Sequence, residues 1–275
     1  MPKQVKPNDT QELHGYESVM LKSARPTMKR ILIGTPVTGL VRMEWVMARY
    51  GQIIPTNWSA TDCLQWISSY IPMQYLVPDA ENFMVREVIA GNFEWFLSVE
   101  HDNVLPPDAF IRINEYMRKG DVPVVSGLYF TKSDPPEPMI YRGRGNGFFH
   151  KWKMGDKVWC DGVPMGFTLI HSSILKALWN ESPEYSCAGQ TLRRVFETPE
   201  KIWLDPETGG THTLTGTSDL TFCERVMTDD IFKKAGWPEY ADKEFPFLVD
   251  TNIFVRHIDT DGRMFPLQRP QDIGY

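Results

Sequence analysis

The sequence predicts an α/β fold, with a mostly parallel sheet flanked by helices and a less regular second half. Two observations lead to this prediction. Up to about residue 130, short apolar runs of strand character alternate with helical patterns that end in glycine. This alternation is typical of domains built on a parallel sheet. From residue 131 onward the alternation becomes irregular, with a glycine-rich stretch and a long polar segment.

Apolar runs and capping residues define the elements of the first half. Buried strands are expected at 30–36, over the apolar run Trp95–Val99, and at 122–130. Helical periodicity predicts helices at 39–51, 79–92 and 106–120. The expected inner-face residues are Leu40, Val41, Trp45 and Val46 in the first helix and Phe110, Ile113 and Met117 in the third; the expected caps are Asp79, Gly51, Gly91 and Gly120.

The second half contains fewer regular patterns. The glycine-rich stretch 141–160 predicts a hairpin, and 166–179 predicts a strand followed by a helix. Residues 198–217 contain no periodic run, and loops of this length are commonly lids or binding loops. A helix is expected over 218–236, with Ser218 or Asp219 near its start. Strand character returns at 246–262.

The composition excludes several classes of protein. The chain has 275 residues, of which 42% are hydrophobic, so it can bury a large core. Its net charge of −6 argues against a general nucleic-acid coat. The four cysteines contain no C-x-x-C pair, which argues against a structural zinc site or a disulfide framework: Cys63, Cys160, Cys187 and Cys223. Without a signal peptide or an apolar run of about 20 residues, we expect a cytoplasmic protein that does not span a membrane.

The most informative short segment is Glu100-His101-Asp102, which directly follows the apolar run Trp95–Val99. Ligands of open α/β sheets bind beyond the carboxyl ends of the strands. If the strand geometry continues, Glu100 and Asp102 lie on one side and His101 on the other. Two adjacent carboxylates repel each other unless a cation or a proton lies between them, so a divalent metal is one explanation. A solvated strand end is an equally good one on these residues alone.

Two further segments contain candidate functional residues. His257 ends an apolar run in VDTNIFVRHID, and Asp219 opens a helix in GTSDLTFCERV. Together with ILIGTP, VEHDNVLPPD, VVSGLYF and VPMGFTLIHSSIL, this ordered set of motifs resembles the GT-A-type glycosyltransferases, which transfer a sugar from a nucleotide-diphosphate donor. The resemblance covers residues 31 to about 259. It departs from the family pattern at Glu100, where an aspartate is usual, at Ser218, where the first acid of a pair is missing, and at Pro164-Met165.

The resemblance implies a role for each matching residue. Asp102 and His257 would bind Mn²⁺ or Mg²⁺, with the imidazole favouring Mn²⁺, and Asp219 would be the general base. Each also has a structural alternative: Asp102 a surface acid, His257 a buried structural histidine, Asp219 a helix cap. The donor would be contacted by Thr35, Pro36, Asn82, Arg86, Glu100, Met165 and Gly166, with Glu100 at the ribose or at a metal-bound water. The aromatic rings of Trp152, Trp159 and Trp203 could stack on sugars or pack in the core.

The implied architecture is a polar arm at 1–29, a single GT-A-like domain at 30–265 and a tail at 266–275. The donor half would end near residue 130, and the acceptor half would occupy 131–265. The implied activity is a metal-dependent, inverting glycosyl transfer from a nucleotide-diphosphate sugar. The acceptor hydroxyl could belong to a polysaccharide, a lipid-linked molecule, a protein or a modified nucleic acid.

Three other functions are compatible with parts of the sequence. A metal-dependent nucleotidyltransferase shares the fold and the electrostatics of the nucleotide diphosphate, but GTPVTGLVR is a poor match to its glycine-rich signature. A non-catalytic nucleotide-sugar-binding module would lack the base, so Asp219 argues against it. A non-haem iron oxygenase needs a further histidine downstream of the H-x-D sequence at 257–259, and the sequence has none after His257.

Overall fold

The structure, a computed structural model, describes residues 30–54, 66–143 and 146–268. The helices in these ranges are α1 (Met43–Tyr50), α2 (Val77–Ala90), α3 (Ala109–Lys119), α4 (Ser172–Glu181), α5 (Ser218–Thr228), α6 (Ile231–Lys234) and α7 (Pro238–Ala241). None of the helices in these ranges is long and apolar enough to cross a membrane.

The strands of the described residues fall into one large sheet and three small ones. They are β1 (Arg30–Gly34), β2 (Trp66–Tyr70), β3 (Trp95–Val99), β4 (Asn103–Val104), β5 (Val124–Leu128), β6 (Lys157–Cys160), β7 (Phe167–His171), β8 (Glu184–Cys187), β9 (Gln190–Arg193), β10 (Glu200–Leu204), β11 (Thr211–Thr215), β12 (Phe247–Phe254), β13 (Arg256–Ile258) and β14 (Met264–Phe265).

The large sheet has the strand order β2-β1-β3-β7-β5-β12-β6. Strands β2, β1, β3, β5 and β12 run in one direction, whereas β7 and β6 are antiparallel to their neighbours. The sheet is therefore mostly parallel and flanked by helices, in a Rossmann-like arrangement. The predicted α/β class is confirmed.

Strand β3 lies inside the sheet between β1 and β7, and all five of its residues are buried. Its side chains alternate between the two hydrophobic cores on either face of the sheet, as the two-residue period of a strand requires. Leu97 packs in the core that contains Phe110 and Met117 of α3. Phe96 packs in the other core, with residues of α2, α4 and α5 such as Met84. The chain after β3 therefore leaves the sheet at its centre.

A small sheet fixes the chain just beyond β3. Strand β13 pairs antiparallel with β4 on one side and with β14 on the other, and the register places His257 opposite Asn103. The backbone N–H of Ile258 also donates to the carbonyl of Asp102 at 2.7 Å. This pairing brings the end of the chain's last long strand back to the carboxyl edge of the large sheet.

Most of the predicted elements of the first half are confirmed. Helix α3 buries Phe110, Ile113 and Met117 and ends at Gly120, whose φ of 61° is the left-handed conformation that glycine adopts freely. Gly51 and Gly91 are the predicted C-caps. The predictions for Leu40, Val41 and Asp79 were wrong. The first two precede α1 and are exposed, and the cap of α2 is Leu76, with Asp79 in the first turn. Strand β2 was not predicted.

The second half contains more strands than the sequence pattern suggested. Residues 198–217 were predicted to be a loop, but β10 and β11 pair there as an antiparallel hairpin. The predicted hairpin at 141–160 is also wrong: among the described residues of this stretch a single bridge joins Tyr141 to Phe148, and β6 pairs with β12 in the large sheet. The predicted helix at 218–236 is divided at Asp230, a non-glycine residue with φ of 56°. The strand and helix at 166–179 and the strands at 246–262 are confirmed.

The side chain of Asn82 connects α2 by hydrogen bonds to Phe196, in the segment after β9. It is 1% exposed, accepts from the backbone N–H of Phe196 at 2.9 Å, and donates to the Phe196 carbonyl at 2.8 Å and the Tyr185 hydroxyl at 3.1 Å. We expect Asn82→Ala to lower the free energy of unfolding by about 2–4 kcal/mol, because two buried backbone groups lose their partner. Urea denaturation measures this loss.

The matched control is Asn180→Ala, which removes an exposed amide from helix α4. We expect this substitution to change the free energy of unfolding by less than about 0.5 kcal/mol. Equal midpoints for the two variants would contradict the role assigned to the Asn82 amide.

Candidate metal and active site

Glu100, Asp102 and His257 converge at the carboxyl edge of the large sheet. One ligand-type atom from each, two carboxylate oxygens and one imidazole nitrogen, lie within 4.8 Å of one another. The cause is local. The chain turns after β3, and the pairing of β4 with β13 then places His257 beside the two acids. The structure thus brings together both predicted metal ligands and Glu100, from segments far apart in the sequence.

The imidazole of His257 is held in one orientation. Its Nδ1 lies 2.5 Å from the carbonyl oxygen of Phe130, and its ring stands edge-on to that of Tyr129, with the ring centres 5.0 Å apart. A carbonyl only accepts hydrogen bonds, so Nδ1 carries the hydrogen and Nε2 keeps a free lone pair. Burial lowers the pKa of His257. The ring is therefore neutral near pH 7, as a metal ligand must be.

The two carboxyl groups share one amide donor. Nδ2 of Asn103 lies 3.3 Å from Oε2 of Glu100 and 3.4 Å from Oδ1 of Asp102. Burial, followed by the neighbouring charge of Asp102, raises the pKa of Glu100 to about 8. Near neutral pH this carboxyl therefore holds a proton in the absence of another positive charge.

The ammonium of Lys132 lies 2.5 Å from Oδ2 of Asp102, where it partly neutralises the acids. The space beside Oδ2 of Asp102 thus already holds a positively charged group. Two carboxylates and one imidazole are a suitable ligand set for a first-row divalent ion such as Mn²⁺, and carboxylates alone suit Mg²⁺. The residues present therefore fit the ion that the sequence predicts.

Asp219 lies in the first turn of α5, and its Oδ1 accepts from the backbone N–H of Leu220 at 2.8 Å. The residue at the cap position is Thr217. Hydrogen bonds from Thr217 and the backbone lower the pKa of Asp219, but burial outweighs them and the pKa is raised overall. Backbone contacts therefore do not prevent this carboxylate from accepting a proton.

Glu81 is a buried acidic residue that the sequence pattern did not single out. It lies in α2 and is 3% exposed, and its Oε2 atom has no hydrogen-bond partner among the described residues. Burial raises its pKa well above the usual range, and the charges of Glu100 and Asp219 raise it further. The sequence did carry a signal: residues 81, 85 and 88 fall on one helical face, and Val85 and Val88 are fully buried.

Thr35 and Pro36, two of the residues predicted to contact the donor, directly follow β1 at the carboxyl edge of the sheet. Thr35 is buried and its N–H donates to the Tyr70 carbonyl at 3.0 Å. The carbonyl of Pro36 lies 3.1 Å from Nδ1 of His101, which places that ring on the turn after β1.

Gly166 lies against the acidic residues, and its neighbour Met165 packs in the core. Met165 is 2% exposed and belongs to the core. The carbonyl of Gly166 accepts from the N–H of Glu100 at 3.0 Å, and its own N–H donates to the Tyr129 hydroxyl at 2.6 Å. A Cβ at Gly166 would lie 2.5 Å from Nδ2 of Asn103, so only glycine fits beneath that amide. Gly166 therefore supports the carboxyl cluster.

Other residues with predicted donor or sugar contacts lie elsewhere. Asn82 bonds to Phe196 and Tyr185, and Arg86 bonds to Glu87 and Gln190 and lies over the Phe83 ring. Among the described contacts, neither side chain reaches the carboxyl cluster. Trp152 is buried in the core and Trp159 packs against it. The side chain of Trp203 lies outside the described part of the structure.

Comparisons with known proteins bear on the fold. No family model matches the sequence, and no curated protein matches it. The structure is similar to that of A197 from STIV, with a TM-score of 0.52 and 13% identity over 86% of this chain and 90% of A197. It is also similar to S. aureus TarS, with a TM-score of 0.39 and 9% identity over 82% of this chain and 36% of TarS, which is too distant to carry an argument. The chain shares its fold with A197, and its function must be argued from its site.

Proposed function

We propose that this protein is a metal-dependent glycosyltransferase that uses a nucleotide-diphosphate sugar and inverts the configuration of the transferred sugar. One observation carries the proposal: Glu100, Asp102 and His257 converge within 4.8 Å at the carboxyl edge of a mostly parallel sheet. Ligands of such sheets bind at this edge. Asp219 is a half-buried carboxylate whose own pKa is raised by burial, and its charge helps to raise the pKa of Glu100.

Asp102 and the Nε2 atom of His257 would hold Mn²⁺ or Mg²⁺, and Glu100 would contribute directly or through water. The ion would neutralise the negative charge that develops on the departing diphosphate. Lys132 is a second source of positive charge for the same oxygens. Its ammonium would be displaced from Asp102 when the ion binds, and its flexible stem would let it turn toward the diphosphate.

Asp219 would act on the acceptor. Its carboxylate takes the proton of the acceptor hydroxyl while the oxygen forms a bond to the anomeric carbon of the sugar. The bond between that carbon and the phosphate oxygen breaks, and its electron pair leaves with the nucleoside diphosphate. A single displacement of this kind inverts the anomeric configuration. A nucleotide-sugar-binding module without catalytic activity would not need a base at this position.

The affinity for Mn²⁺ should depend on pH through Glu100. Below its pKa of about 8 the carboxyl carries a proton that the ion must displace, whereas His257 is already neutral. Affinity should therefore rise by up to about tenfold per pH unit on approaching this pKa and level off above it. Calorimetry in two buffers of different ionisation enthalpy should show release of about one proton per ion near pH 7. In Glu100→Gln the release should disappear; if it persists, another group titrates.

The nucleotide should bind through the ion. We expect UDP or GDP to raise the melting temperature with Mn²⁺ present and much less with EDTA, because the ion links the phosphates to Asp102. Asp102→Ala should remove this difference, while Asp242→Ala, at an exposed loop aspartate, should keep it. Lys132→Met should strengthen binding of Mn²⁺ alone, because it removes the competing ammonium. A full Mn²⁺ response in Asp102→Ala would show that the ion binds elsewhere.

Asp219→Asn tests the base. This substitution keeps the shape of the side chain and removes its basicity, so turnover should fall by about 10²–10⁴-fold with little change in Mn²⁺–nucleotide affinity. Slow hydrolysis of the sugar nucleotide, measured as released nucleoside diphosphate, provides an assay before the acceptor is known. Near-normal turnover in the variant, or a product of retained configuration, would show that Asp219 is not the base of a single displacement.

A further inference from the structure

A cavity of about 390 Å³ lies between the start of helix α2, strand β8 and the segment that follows β9. It is separate from the cluster of Glu100, Asp102 and His257. Its volume falls within the range of about 300–1,000 Å³ that is typical of ligand-binding clefts. We call it the α2–β8 cavity; its polar lining includes Asp79, Tyr185, Ser186, Arg194, Glu197 and Thr198.

The polar groups of the α2–β8 cavity are only partly used within the protein. The Tyr185 hydroxyl donates to Oδ1 of Asp79 at 2.8 Å and accepts from the amide of Asn82 at 3.1 Å, so its phenol ring is held in place. The guanidinium of Arg194 lies over that ring, 4.9 Å from its centre. Among the described residues, the side chains of Arg194 and Glu197 have no hydrogen-bond or ion-pair partner. A charged donor and a charged acceptor therefore remain available to a ligand in one cavity.

The chemistry of this lining suits a neutral ligand with many hydroxyl groups. The carboxylates of Asp79 and Glu197 outnumber the guanidinium of Arg194, so a phosphate or a nucleotide would meet net negative charge. A sugar hydroxyl can donate to a carboxylate and accept from a guanidinium. The apolar C–H groups of a sugar ring can pack against Leu76 and Phe196, which also line the cavity. Of the common hydrophilic ligands, a saccharide therefore fits best.

Helix α5 connects the wall of the cavity to Asp219. The ring of Phe196 stacks on that of Phe222 in α5, with the ring centres 4.8 Å apart and the planes at 12°. Arg225 of the same helix donates to the backbone carbonyl of Arg194 at 2.5 Å. Phe222 follows Asp219 by three residues, which is about one helical turn. The cavity wall is thus held about one turn of α5 from the proposed base.

We propose that the α2–β8 cavity binds a saccharide. Its role rests on the proposed function: the bound saccharide is part of the acceptor, so the acceptor hydroxyl belongs to a glycan. A sugar chain in the cavity would extend past Phe196 toward Asp219, where its terminal hydroxyl reacts. The cavity therefore contributes to acceptor binding, whereas the ion and the diphosphate are held at the separate cluster of Glu100, Asp102 and His257.

Binding is tested first, without metal or nucleotide. Maltose, cellobiose, lactose, mannobiose and diacetylchitobiose are each titrated into the whole protein, and binding is measured by saturation-transfer NMR. At least one should bind with a dissociation constant on the order of 1 mM. Arg194→Ala should weaken this binding by about tenfold, because it removes a charged donor. Ser186→Trp should abolish it, because the indole fills the cavity from an exposed position.

The matched control is Arg118→Ala, which removes an exposed arginine from α3 and should leave saccharide affinity unchanged. Circular dichroism shows whether each variant is folded, and Arg194→Ala alone decides the outcome if Ser186→Trp does not fold. If no disaccharide binds, or if Arg194→Ala keeps the wild-type affinity, the cavity is not a saccharide site. Binding of inorganic phosphate that Arg194→Ala removes would overturn the proposal in favour of an anion site.

The acceptor role is tested by turnover. The disaccharide that binds is supplied with Mn²⁺ and UDP-glucose, UDP-N-acetylglucosamine or GDP-mannose. Arg194→Ala should raise the KM of the disaccharide by about tenfold and leave kcat and the KM of the sugar nucleotide within about twofold, because the cavity is separate from the ion site. An unchanged KM for the disaccharide would show that the acceptor binds elsewhere. Saccharide binding without turnover of any sugar nucleotide would contradict the proposed function and the acceptor role, while the cavity would remain a saccharide site.

Discussion

Repulsion among acidic side chains is the constraint on which the carboxyl edge of this sheet depends. Glu100 and Asp102 lie together there, the charges of Asp102 and Asp219 raise the pKa of Glu100, and Lys132 is the one ammonium that contacts Asp102 among the described residues. Buried like charges of this kind raise pKa values and favour protons or cations. The protein tolerates the arrangement because a large core on each face of the sheet fixes the backbone around it. A positively charged ligand would reduce the electrostatic repulsion between these acids, which the fold alone does not remove.

The sequence predicted those parts of the structure that depend on nearby residues. The run Trp95–Val99 is apolar at every position but Ser98, and a strand buried on both faces has this composition. The position of Glu100 and Asp102 at its end then follows from the sheet alone. Strands that depend on partners elsewhere in the chain were harder to predict. The hairpin of β10 and β11 and the strand β2 carry many polar residues, so their cross-strand pairing determines them more than their own pattern does.

Helix α2 shows why the site was predicted only in part. Consecutive helical residues point about 100° apart, and the sequence indicates which face is apolar but not which neighbouring element covers it. Asn82 bonds to the backbone of Phe196, whereas Glu81 is enclosed and its Oε2 has no partner among the described residues. The packing partners of the helix, not its own pattern, determine what each of these adjacent polar side chains contacts. Asn82 was predicted to contact the donor but holds Phe196, and Glu81 was not among the predicted site residues.

The pairing of β4 with β13 has a consequence for biosynthesis. A chain is made from its amino end, and its early segments can begin to fold while later ones are still being added. Glu100 and Asp102 are made early, whereas His257 and the strand that positions it come near the end of the described residues. The nascent protein therefore carries two closely spaced acids while residues 103–256 are added, before the imidazole arrives. Under the proposed function, capture of an ion by all three groups would become possible only after β13 has emerged from the ribosome, and a loaded site would mark a chain in which β13 has paired with β4.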